Sequence, residues 1–325
     1  MKSPFALLLL SFPFAGWLHA GPESIERLDP ALDRYFAAEV EIETLCQGFR
    51  WSEGPVWDEA GERLLFSDVP VNKVYQWKEG DAEATVFLDP SGFTGNDRSD
   101  GEPGSNGLMF DARGRLLSCE HGDRRVSVLT PLGGKMTVAD RFEGKRFNSP
   151  NDLAVHPDGS IWFTDPPYGL PRGQEEKSRE LDFHGVFRWS ENGGVTLIHR
   201  DLERPNGIAF SPDAKTLYVA NSHAPRPVIL AFPVKEDGGV GEAKVFFDAK
   251  GLEGPGMPDG LKVHPDGTVF ATGPGGVLVI SPAGKLLGRI LCTRPTANLA
   301  FGPETRCLFI TSQDRLLRVN LKTNP

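Results

Sequence analysis

The segment Asn151-Asp-Leu-Ala-Val-His-Pro-Asp-Gly-Ser-Ile-Trp-Phe163 decides the fold, because variants of it recur along the chain. It holds two short apolar runs around a Pro-Asp-Gly turn, a pattern that predicts a β-hairpin. Six such hairpins open at Glu53, Asn106, Asn151, Asn206, Asp259 and Asn298. Their spacing of 39 to 55 residues is close to the length of a four-stranded blade. The sequence therefore predicts an all-β fold, a six-bladed β-propeller forming one domain over residues 21–325.

A propeller has to close its ring, because an open ring leaves strand edges unpaired. Residues 38–45, Ala-Glu-Val-Glu-Ile-Glu-Thr-Leu, alternate as a strand does but precede the first hairpin. We expect this strand to pair with residues 316–321 in the last blade and so to join the two ends of the chain. The alternative is an unattached edge strand at the N-terminus.

The first twenty residues have the composition of an export leader. Lys2 gives the positive end, residues 5–10 form an apolar run, and Ala20 offers a small residue at a cleavage point. We expect residues 1–20 to be a signal peptide and the mature protein to be periplasmic or secreted; an uncleaved anchor is the alternative. No later segment approaches the roughly 18 to 20 apolar residues that a spanning helix needs.

The charge balance indicates the kind of partner. The full chain has a formal net charge of −9, and loss of Lys2 with the leader makes it −10. An acidic protein is poorly suited to nucleic acid or to anionic membranes, since both recruit basic patches. A small molecule or a cation is the better partner, and the oligomeric state stays open.

Four cysteines, Cys46, Cys119, Cys292 and Cys307, form no C-x-x-C pair, which argues against a thiolate zinc site. In an oxidising compartment one or two disulfides would form, with Cys292 and Cys307 closest in sequence. Buried free thiols are the equal alternative.

Propeller geometry places the first strand of each blade nearest the axis, so the six opening residues should ring one mouth of the channel. The second strand runs antiparallel and ends at the same mouth. Its last residues are Asp68, Glu120, Asp165, Asn221, Gly273 and Gln313. Ca²⁺ and Mg²⁺ prefer carboxylate and amide oxygens, so this pattern predicts one divalent cation at the mouth. The alternative is that each residue only serves a turn.

Two long connections are expected to reach the same mouth. Residues 89–105 lead into a first strand, and residues 166–184 leave the end of a second strand. Loops of this length are commonly functional, so we expect them to form a rim or lid. Simple surface loops are the alternative.

Four motifs together resemble the SMP-30/gluconolactonase family, in its longer bacterial gluconolactonase-like form. They are Trp51-Ser-Glu-Gly-Pro-Val-Trp57, Ser149-Pro-Asn-Asp-Leu153 with Phe163-Thr-Asp-Pro-Pro-Tyr-Gly169, Pro205-Asn-Gly-Ile208 and Pro258-Asp-Gly-Leu261. The resemblance covers roughly residues 45 to 315. It implies a six-bladed propeller, in agreement with the repeat count, and a sugar lactone as the small-molecule substrate.

The resemblance also implies a divalent ion held by Glu53, Asn151, Asn206 and Asp259. Ca²⁺ is the first choice, with Mg²⁺, Mn²⁺ or Zn²⁺ as alternatives. Asn151 is also expected to contact the substrate. Asn106 and Asn298 are expected either to contact the substrate or to lie next to the metal ligands.

One position departs from the animal members of that family, which carry an arginine where this chain has Ser149. Sugar contacts made by that arginine must therefore be absent or replaced. We expect the replacements at the polar mouth, in His121, Glu120, Asp165 and Tyr168; structural packing is the alternative for His121 and Tyr168.

A bound cation would permit lactone hydrolysis without a covalent nucleophile, by stabilising charge on the carbonyl oxygen and orienting a water. The sequence has no G-x-S-x-G elbow. The resemblance favours Asp259 as catalytic base, with Asp165 or Glu120 as alternatives and Glu53 as a ligand only. A sugar lactonase therefore competes with a hydrolase of another lactone, ester or phosphotriester, and with a non-catalytic binding propeller.

Overall fold

A computed structural model describes residues 22–96 and 101–322 of the protein. The strands in chain order are β1 Ser24–Arg27, β2 Ile42–Gln47, β3 Ser52–Asp58, β4 Arg63–Asp68, β5 Lys73–Trp77, β6 Thr85–Leu88, β7 Ser105–Phe110, β8 Leu116–Glu120, β9 Arg125–Leu129, β10 Lys135–Ala139, β11 Arg141–Phe142, β12 Lys145–Arg146, β13 Leu153–Val155, β14 Ile161–Asp165, β15 Gly185–Ser190, β16 Gly194–His199, β17 Pro205–Phe210, β18 Thr216–His223, β19 Arg226–Pro233, β20 Lys244–Asp248, β21 Leu261–Val263, β22 Val269–Gly273, β23 Gly276–Ile280, β24 Leu286–Leu291, β25 Asn298–Phe301, β26 Cys307–Ser312 and β27 Arg315–Asn320. Helical turns are short: α1 Glu175–Ser178 and the 3-10 segments Pro30–Arg34, Val69–Val71 and Pro303–Thr305. The predicted leader lies outside the described residues.

Six antiparallel sheets follow one another along the chain, and each takes its first strand from one predicted hairpin. Their first strands are β3, β7, β13, β17, β21 and β25. Each first strand contacts the next, and β25 contacts β3, so the sheets form a closed ring around one axis. The predicted six-bladed propeller is confirmed. In the described part of the chain, no helix has the length and hydropathy needed to cross a membrane.

The N-terminal segment closes the ring. β2 pairs antiparallel with β27, with Ile42 opposite Val319, and completes the sixth blade. This confirms the predicted closure, although the strand begins at Ile42 rather than at residue 38. A further strand, β1, adds to the outer edge of the fifth blade, where Ser24 lies opposite Leu291. The N-terminal segment thus covers the outer edges of the fifth and sixth blades, which protects these edges from pairing with other molecules.

The cores lie between neighbouring blades rather than inside each sheet. Trp57 of the first blade stacks on Phe309 of the sixth at 5.8 Å between ring centroids, for example. All four cysteines are free and buried, and Cys292 and Cys307 lie in different core clusters. The structure therefore supports the buried-thiol alternative. Burial also raises the pKa of the Cys292 thiol to about 12, which keeps it protonated and unreactive.

Close backbone approach at the axis explains the glycine that follows several opening residues. Gly54 has a positive φ of 47°, and a Cβ added there would lie 2.0 Å from the Asn106 carbonyl oxygen. A Cβ on Gly207 would lie 2.1 Å from the Asp259 carbonyl oxygen. Only glycine lets adjacent first strands meet at this distance. Their opening side chains consequently converge at one mouth.

Candidate metal and substrate site

Three asparagine side chains from three consecutive blades form a hydrogen-bonded chain at the mouth. Asn106 Nδ2 donates to Asn151 Oδ1 at 3.0 Å, and Asn151 Nδ2 donates to Asn206 Oδ1 at 2.6 Å. Asn206 Nδ2 then donates to Ser222 Oγ at 3.0 Å. All three asparagines are buried. The predicted ring is therefore assembled, and each amide holds its neighbour in orientation.

Two carboxylates complete the ring. Glu53 is buried and accepts a hydrogen bond from Gly54 N at 2.9 Å, while Asp259 is half-buried. Burial raises the pKa of Glu53 to about 8, and the charges of Asp152 and Glu102 push it in the same direction. The pKa of Asp259 lies well above its usual range because of burial and then because of the Glu53 charge. Two carboxyl groups that repel each other when both are charged thus share a site that solvates neither charge well.

This donor set fits a divalent cation. Asp259 Oδ1 and Asn106 Oδ1 are buried and have no hydrogen-bond partner among the residues that the structure describes. Asn206 Oδ1 accepts from Asn151 and has a second lone pair, whereas Asn151 Oδ1 lies within hydrogen-bond distance of both Asn106 Nδ2 and His121 Nε2. A cation would satisfy the unpartnered oxygens and would favour the charged form of both carboxylates. Because the six opening residues include no His or Cys, the ring suits Ca²⁺ or Mg²⁺ better than Zn²⁺.

His121 supports the ring from outside. Its side chain is fully buried, with Nε2 at 3.1 Å from Asn151 Oδ1 and Nδ1 at 3.1 Å from the Glu102 carbonyl oxygen. Burial lowers the pKa of His121 to about 4, so the imidazole is neutral at physiological pH. The structure brings His121 to a ring amide, and its role in substrate binding stays a prediction.

Tyr168 is half-buried and lies beside the ring. Burial raises the pKa of its hydroxyl above the usual range, and the nearby Asp259 charge raises it further. The Arg204 guanidinium carbon lies 5.5 Å from the centre of the Tyr168 ring. Tyr168 therefore lies near Asp259 and Arg204, and its role in substrate binding stays a prediction.

Ser149 stands where the animal members of the resembled family carry an arginine, and its hydroxyl holds a nearby turn. Its Oγ donates to the Pro166 carbonyl oxygen at 2.6 Å and accepts from Gly169 N at 3.0 Å. The hydroxyl thereby fixes the turn that carries Tyr168. Ser149 is fully buried, so it acts on the shape of the mouth and not on the substrate directly.

The chain matches known proteins over this whole architecture. A family model described as the SMP-30/Gluconolactonase/LRE-like region matches residues 51–314. The chain belongs to this family. The predicted resemblance is confirmed, and residues 51–314 run from just before Glu53 to just after the strand that ends at Ser312.

Individual relatives in the family agree on the reaction class. A gluconolactonase from Zymomonas mobilis is 38% identical over 314 residues, which cover 92% of this chain and 86% of the relative. A pentonolactonase from Haloferax volcanii is 27% identical over 83% of each chain. The solved structure of a gluconolactonase from Xanthomonas campestris has a TM-score of 0.81 and 34% identity, covering 94% of this chain and 96% of that one. These relatives indicate a lactone hydrolase, as the sequence predicted.

Two residues that end second strands, Asp68 and Asp165, stabilise the fold, because their carboxylates bind backbone amides. Asp165 is fully buried, and its carboxylate accepts from Asn148 N at 2.8 Å and from Ser149 N at 2.7 Å. Asp68 accepts in the same way from the backbone amides of Arg50 and Trp51. Each such side chain braces the backbone two and three residues before an opening residue. Both Asp165 oxygens thus accept from backbone amides, and its predicted role at the substrate stays a prediction.

Glu120 is likewise absent from the mouth. Its fully buried carboxylate accepts from Arg125 Nε at 2.6 Å and from Lys135 Nζ at 2.6 Å, both on later strands of the second blade. Removing either cation would leave a buried charge with fewer partners, which is costly. Glu120 is thus a structural ion-pair residue, which the sequence could not separate from a site residue.

A second polar group beneath the ring was not predicted. Asp152 Oδ2 accepts from Asn298 Nδ2 at 3.3 Å and lies 4.0 Å from Lys262 Nζ, which also donates to Asn298 Oδ1 at 3.3 Å. Asn298 also hydrogen-bonds Glu53 and lowers the pKa of that carboxyl, so it lies next to a predicted ligand, which is one of the two places that the sequence predicted for it. The signal for Asp152 was available in the sequence, because it follows an opening residue at a position where four other blades have glycine.

Proposed function

We propose that this protein hydrolyses a sugar lactone to the aldonic acid, with D-glucono-1,5-lactone as the first candidate substrate. The observation that carries the proposal is the ring itself: Glu53 and Asp259 oppose each other beside a chain of three amides, at the mouth of the channel. Membership of the family and the names of its relatives support the lactone as substrate class.

We further propose that Glu53, Asn151, Asn206 and Asp259 hold one divalent cation, Ca²⁺ in the first instance. Lewis-acid polarisation of the lactone carbonyl is the chemistry that such an ion supplies when bound. The unpartnered Asp259 Oδ1 supports this assignment. Asp259 serves here mainly as a ligand, because a carboxylate that shares its electrons with a cation is a weakened base.

The chain's own residues then bind and orient the sugar. The unpartnered Asn106 Oδ1 can accept a hydrogen bond from a sugar hydroxyl, and Tyr168 lies beside Asp259 with a hydroxyl that can donate one. The aromatic face of Tyr168 and the nearby Arg204 offer a wall against which a sugar ring can lie. The fully buried His121 keeps Asn151 from rotating while this happens.

The proposal is tested by following acid release from D-glucono-1,5-lactone above the spontaneous rate, in protein as purified, after chelation and after Ca²⁺ is restored. Pentonolactones belong in the same panel, since one relative is a pentonolactonase. Turnover that chelation removes and Ca²⁺ restores is the expected result. Folded protein that binds Ca²⁺ by calorimetry but hydrolyses no lactone would overturn the proposal in favour of a binding propeller.

A further inference from the structure

Ser222 links two of the predicted ligands through one hydroxyl group. It lies near the end of β18, where its backbone N donates to the Arg204 carbonyl oxygen at 2.9 Å. Its Oγ accepts from Asn206 Nδ2 at 3.0 Å. The same hydroxyl donates to the carbonyl oxygen of Pro258, which directly precedes Asp259. Ser222 therefore joins the ring amide of the fourth blade to the backbone that carries the ring carboxylate of the fifth.

These contacts give the chain of amides a direction. A carbonyl oxygen only accepts, so the single hydroxyl hydrogen of Ser222 goes to Pro258, and Ser222 Oγ has to accept from Asn206. An asparagine side chain donates only through Nδ2, which leaves Asn206 Oδ1 to accept from Asn151 Nδ2 at 2.6 Å. In the same way, Asn151 Oδ1 accepts from Asn106 Nδ2 at 3.0 Å. One backbone carbonyl thus sets the orientation of three amides in succession.

His121, at the other end of the chain, bears on the same direction. Its Nε2 lies 3.1 Å from Asn151 Oδ1, and its Nδ1 lies 3.1 Å from the Glu102 carbonyl oxygen. A neutral imidazole has one N–H, so it donates to only one of these two oxygens. A hydrogen on Nε2 agrees with the direction that Ser222 sets. A hydrogen on Nδ1 would satisfy Glu102 instead and would favour the reversed chain.

Burial favours the Ser222 end of the chain. Glu102 is half-buried, so water can reach its backbone, whereas Pro258 is buried. A buried acceptor that loses its donor is costly, while an accessible acceptor finds water. The fold therefore gains more from the donor at Pro258 than from a donor at Glu102. His121 should consequently carry its hydrogen on Nε2.

We propose that Ser222 is a positioning residue of the cation site, an inference that rests on the cation assignment in the proposed function above. Its hydroxyl holds the NH2 group of Asn206, so that Asn206 Oδ1 keeps a free lone pair for a cation. Divalent cations of this kind take oxygen ligands, and an NH2 group in place of that oxygen would repel them. Without the hydroxyl, Asn206 loses the partner that fixes its orientation, and the amide chain is free to reverse.

The first test is calorimetry of Ca²⁺ binding to Ser222→Ala and Ser222→Thr. The alanine variant should bind Ca²⁺ about 10- to 100-fold more weakly, the usual effect of losing a group that orients a metal ligand. The threonine variant keeps a hydroxyl, so its affinity should stay close to that of wild type. Ser211→Ala is the matched control, because Ser211 Oγ also makes two hydrogen bonds in the fourth blade, with Asp213 and Thr216 in the turn between β17 and β18. This control should bind Ca²⁺ like wild type.

The second test measures the direction of the chain in chelated wild-type protein. Proton–nitrogen NMR correlations distinguish the two neutral tautomers of a histidine, and the variant His121→Gln identifies the signals of His121. We expect the hydrogen on Nε2 in the wild type. In Ser222→Ala the population with the hydrogen on Nδ1 should rise, because Ser222 no longer opposes the demand of the Glu102 carbonyl oxygen. A role of Ser222 in packing alone would leave the tautomer unchanged.

Several outcomes would overturn the inference. Wild-type Ca²⁺ affinity in folded Ser222→Ala would contradict it, and so would a hydrogen on His121 Nδ1 in the wild type. An equal loss of affinity in Ser222→Thr would assign the effect to side-chain shape, and an equal loss in Ser211→Ala would assign it to loosening of the whole blade. If Ser222→Ala fails to fold, the wild-type tautomer decides the inference.

The lactonase proposal fails separately from this inference. Wild-type protein that binds Ca²⁺ but hydrolyses no lactone would remove the lactonase and leave Ser222 as a positioning residue of the cation site. Wild-type protein that binds no Ca²⁺ would remove the cation assignment and this inference with it.

Discussion

Replacing Asp259 by asparagine should stabilise the chelated protein against unfolding and destabilise the Ca²⁺-loaded protein. In the absence of a cation, Asp259 and Glu53 oppose each other in the ring, and the Glu53 charge contributes to the raised pKa of Asp259. The substitution Asp259→Asn keeps the size of the side chain and removes one of the two charges. With Ca²⁺ bound, the same change removes a charged ligand, so the effect on stability reverses.

The magnitude follows from Glu53, whose pKa rises from 4.5 to about 8. A carboxyl with a raised pKa binds its proton more tightly in the folded protein than in the unfolded chain. The stability that this group contributes is therefore fully present below pH 4.5 and is lost as the pH rises towards 8. At about 1.4 kcal/mol per pH unit, the chelated wild type should lose on the order of 5 kcal/mol across this window. Asp259 has a raised pKa of its own, so the wild type carries a further pH-dependent loss that Asp259→Asn removes, and the variant should lose less stability than the wild type across this window.

Urea denaturation at about pH 5, 6, 7 and 8 measures this difference directly, with EDTA or with saturating Ca²⁺. At about 100 times the dissociation constant, Ca²⁺ should add about 2.7 kcal/mol to the wild type and far less to the variant. Asp182→Asn, at an exposed position in a rim loop, is the control and should follow the wild type. A chelated wild type whose stability does not change across this pH range, or a variant with the same slope, would refute the account of the ring.

Three further changes test how the site is built. Gly207→Ala places a Cβ 2.1 Å from the Asp259 carbonyl oxygen, so it should push the two strands apart and lower Ca²⁺ affinity in calorimetry; unchanged affinity would contradict the close-approach argument. Asp165→Ala leaves buried backbone amides without an acceptor, and urea denaturation should show a loss of about 1–3 kcal/mol for each such group, whereas unchanged stability would show that the amides find other acceptors. Ser149→Ala frees the turn at residues 166–169 and should raise KM in lactone hydrolysis at unchanged Ca²⁺ affinity, whereas an unchanged KM would show that the turn does not shape the site.

The sequence predicted the blades and the ring because both follow from local patterns. Each hairpin carries its own apolar runs and turn, and the opening residue stands at one register position in every repeat. The closing strand β2 could be found for the same reason, since it alternates. β1 could not, because a four-residue segment carries little pattern and its partner lies in the fifth blade, with Ser24 opposite Leu291.

Side-chain direction is what the sequence could not provide. Asp165 and Glu120 end second strands at the predicted mouth, yet one turns back to backbone amides and the other pairs with Arg125 and Lys135. The pairing of Glu120 is not visible in the repeat, because Arg125 and Lys135 do not stand at a recurring register position. The pairing of Asp165 is not visible because its partners are backbone amides, which any residue type supplies. The contact between His121 and the Glu102 carbonyl oxygen was missed for a different reason. Glu102 lies in a loop without a repeat register, and only the fold brings its backbone to His121.

The central claim is that the ring of Glu53, Asn151, Asn206 and Asp259 holds a cation that lactone hydrolysis requires. The most direct measurement is acid release from D-glucono-1,5-lactone by chelated wild type and by Asp259→Asn during a Ca²⁺ titration. The account predicts that wild-type activity rises with the Ca²⁺ occupancy measured by calorimetry, and that the folded variant shows neither tight binding nor turnover. Full activity in the chelated wild type, or in Asp259→Asn, would contradict it.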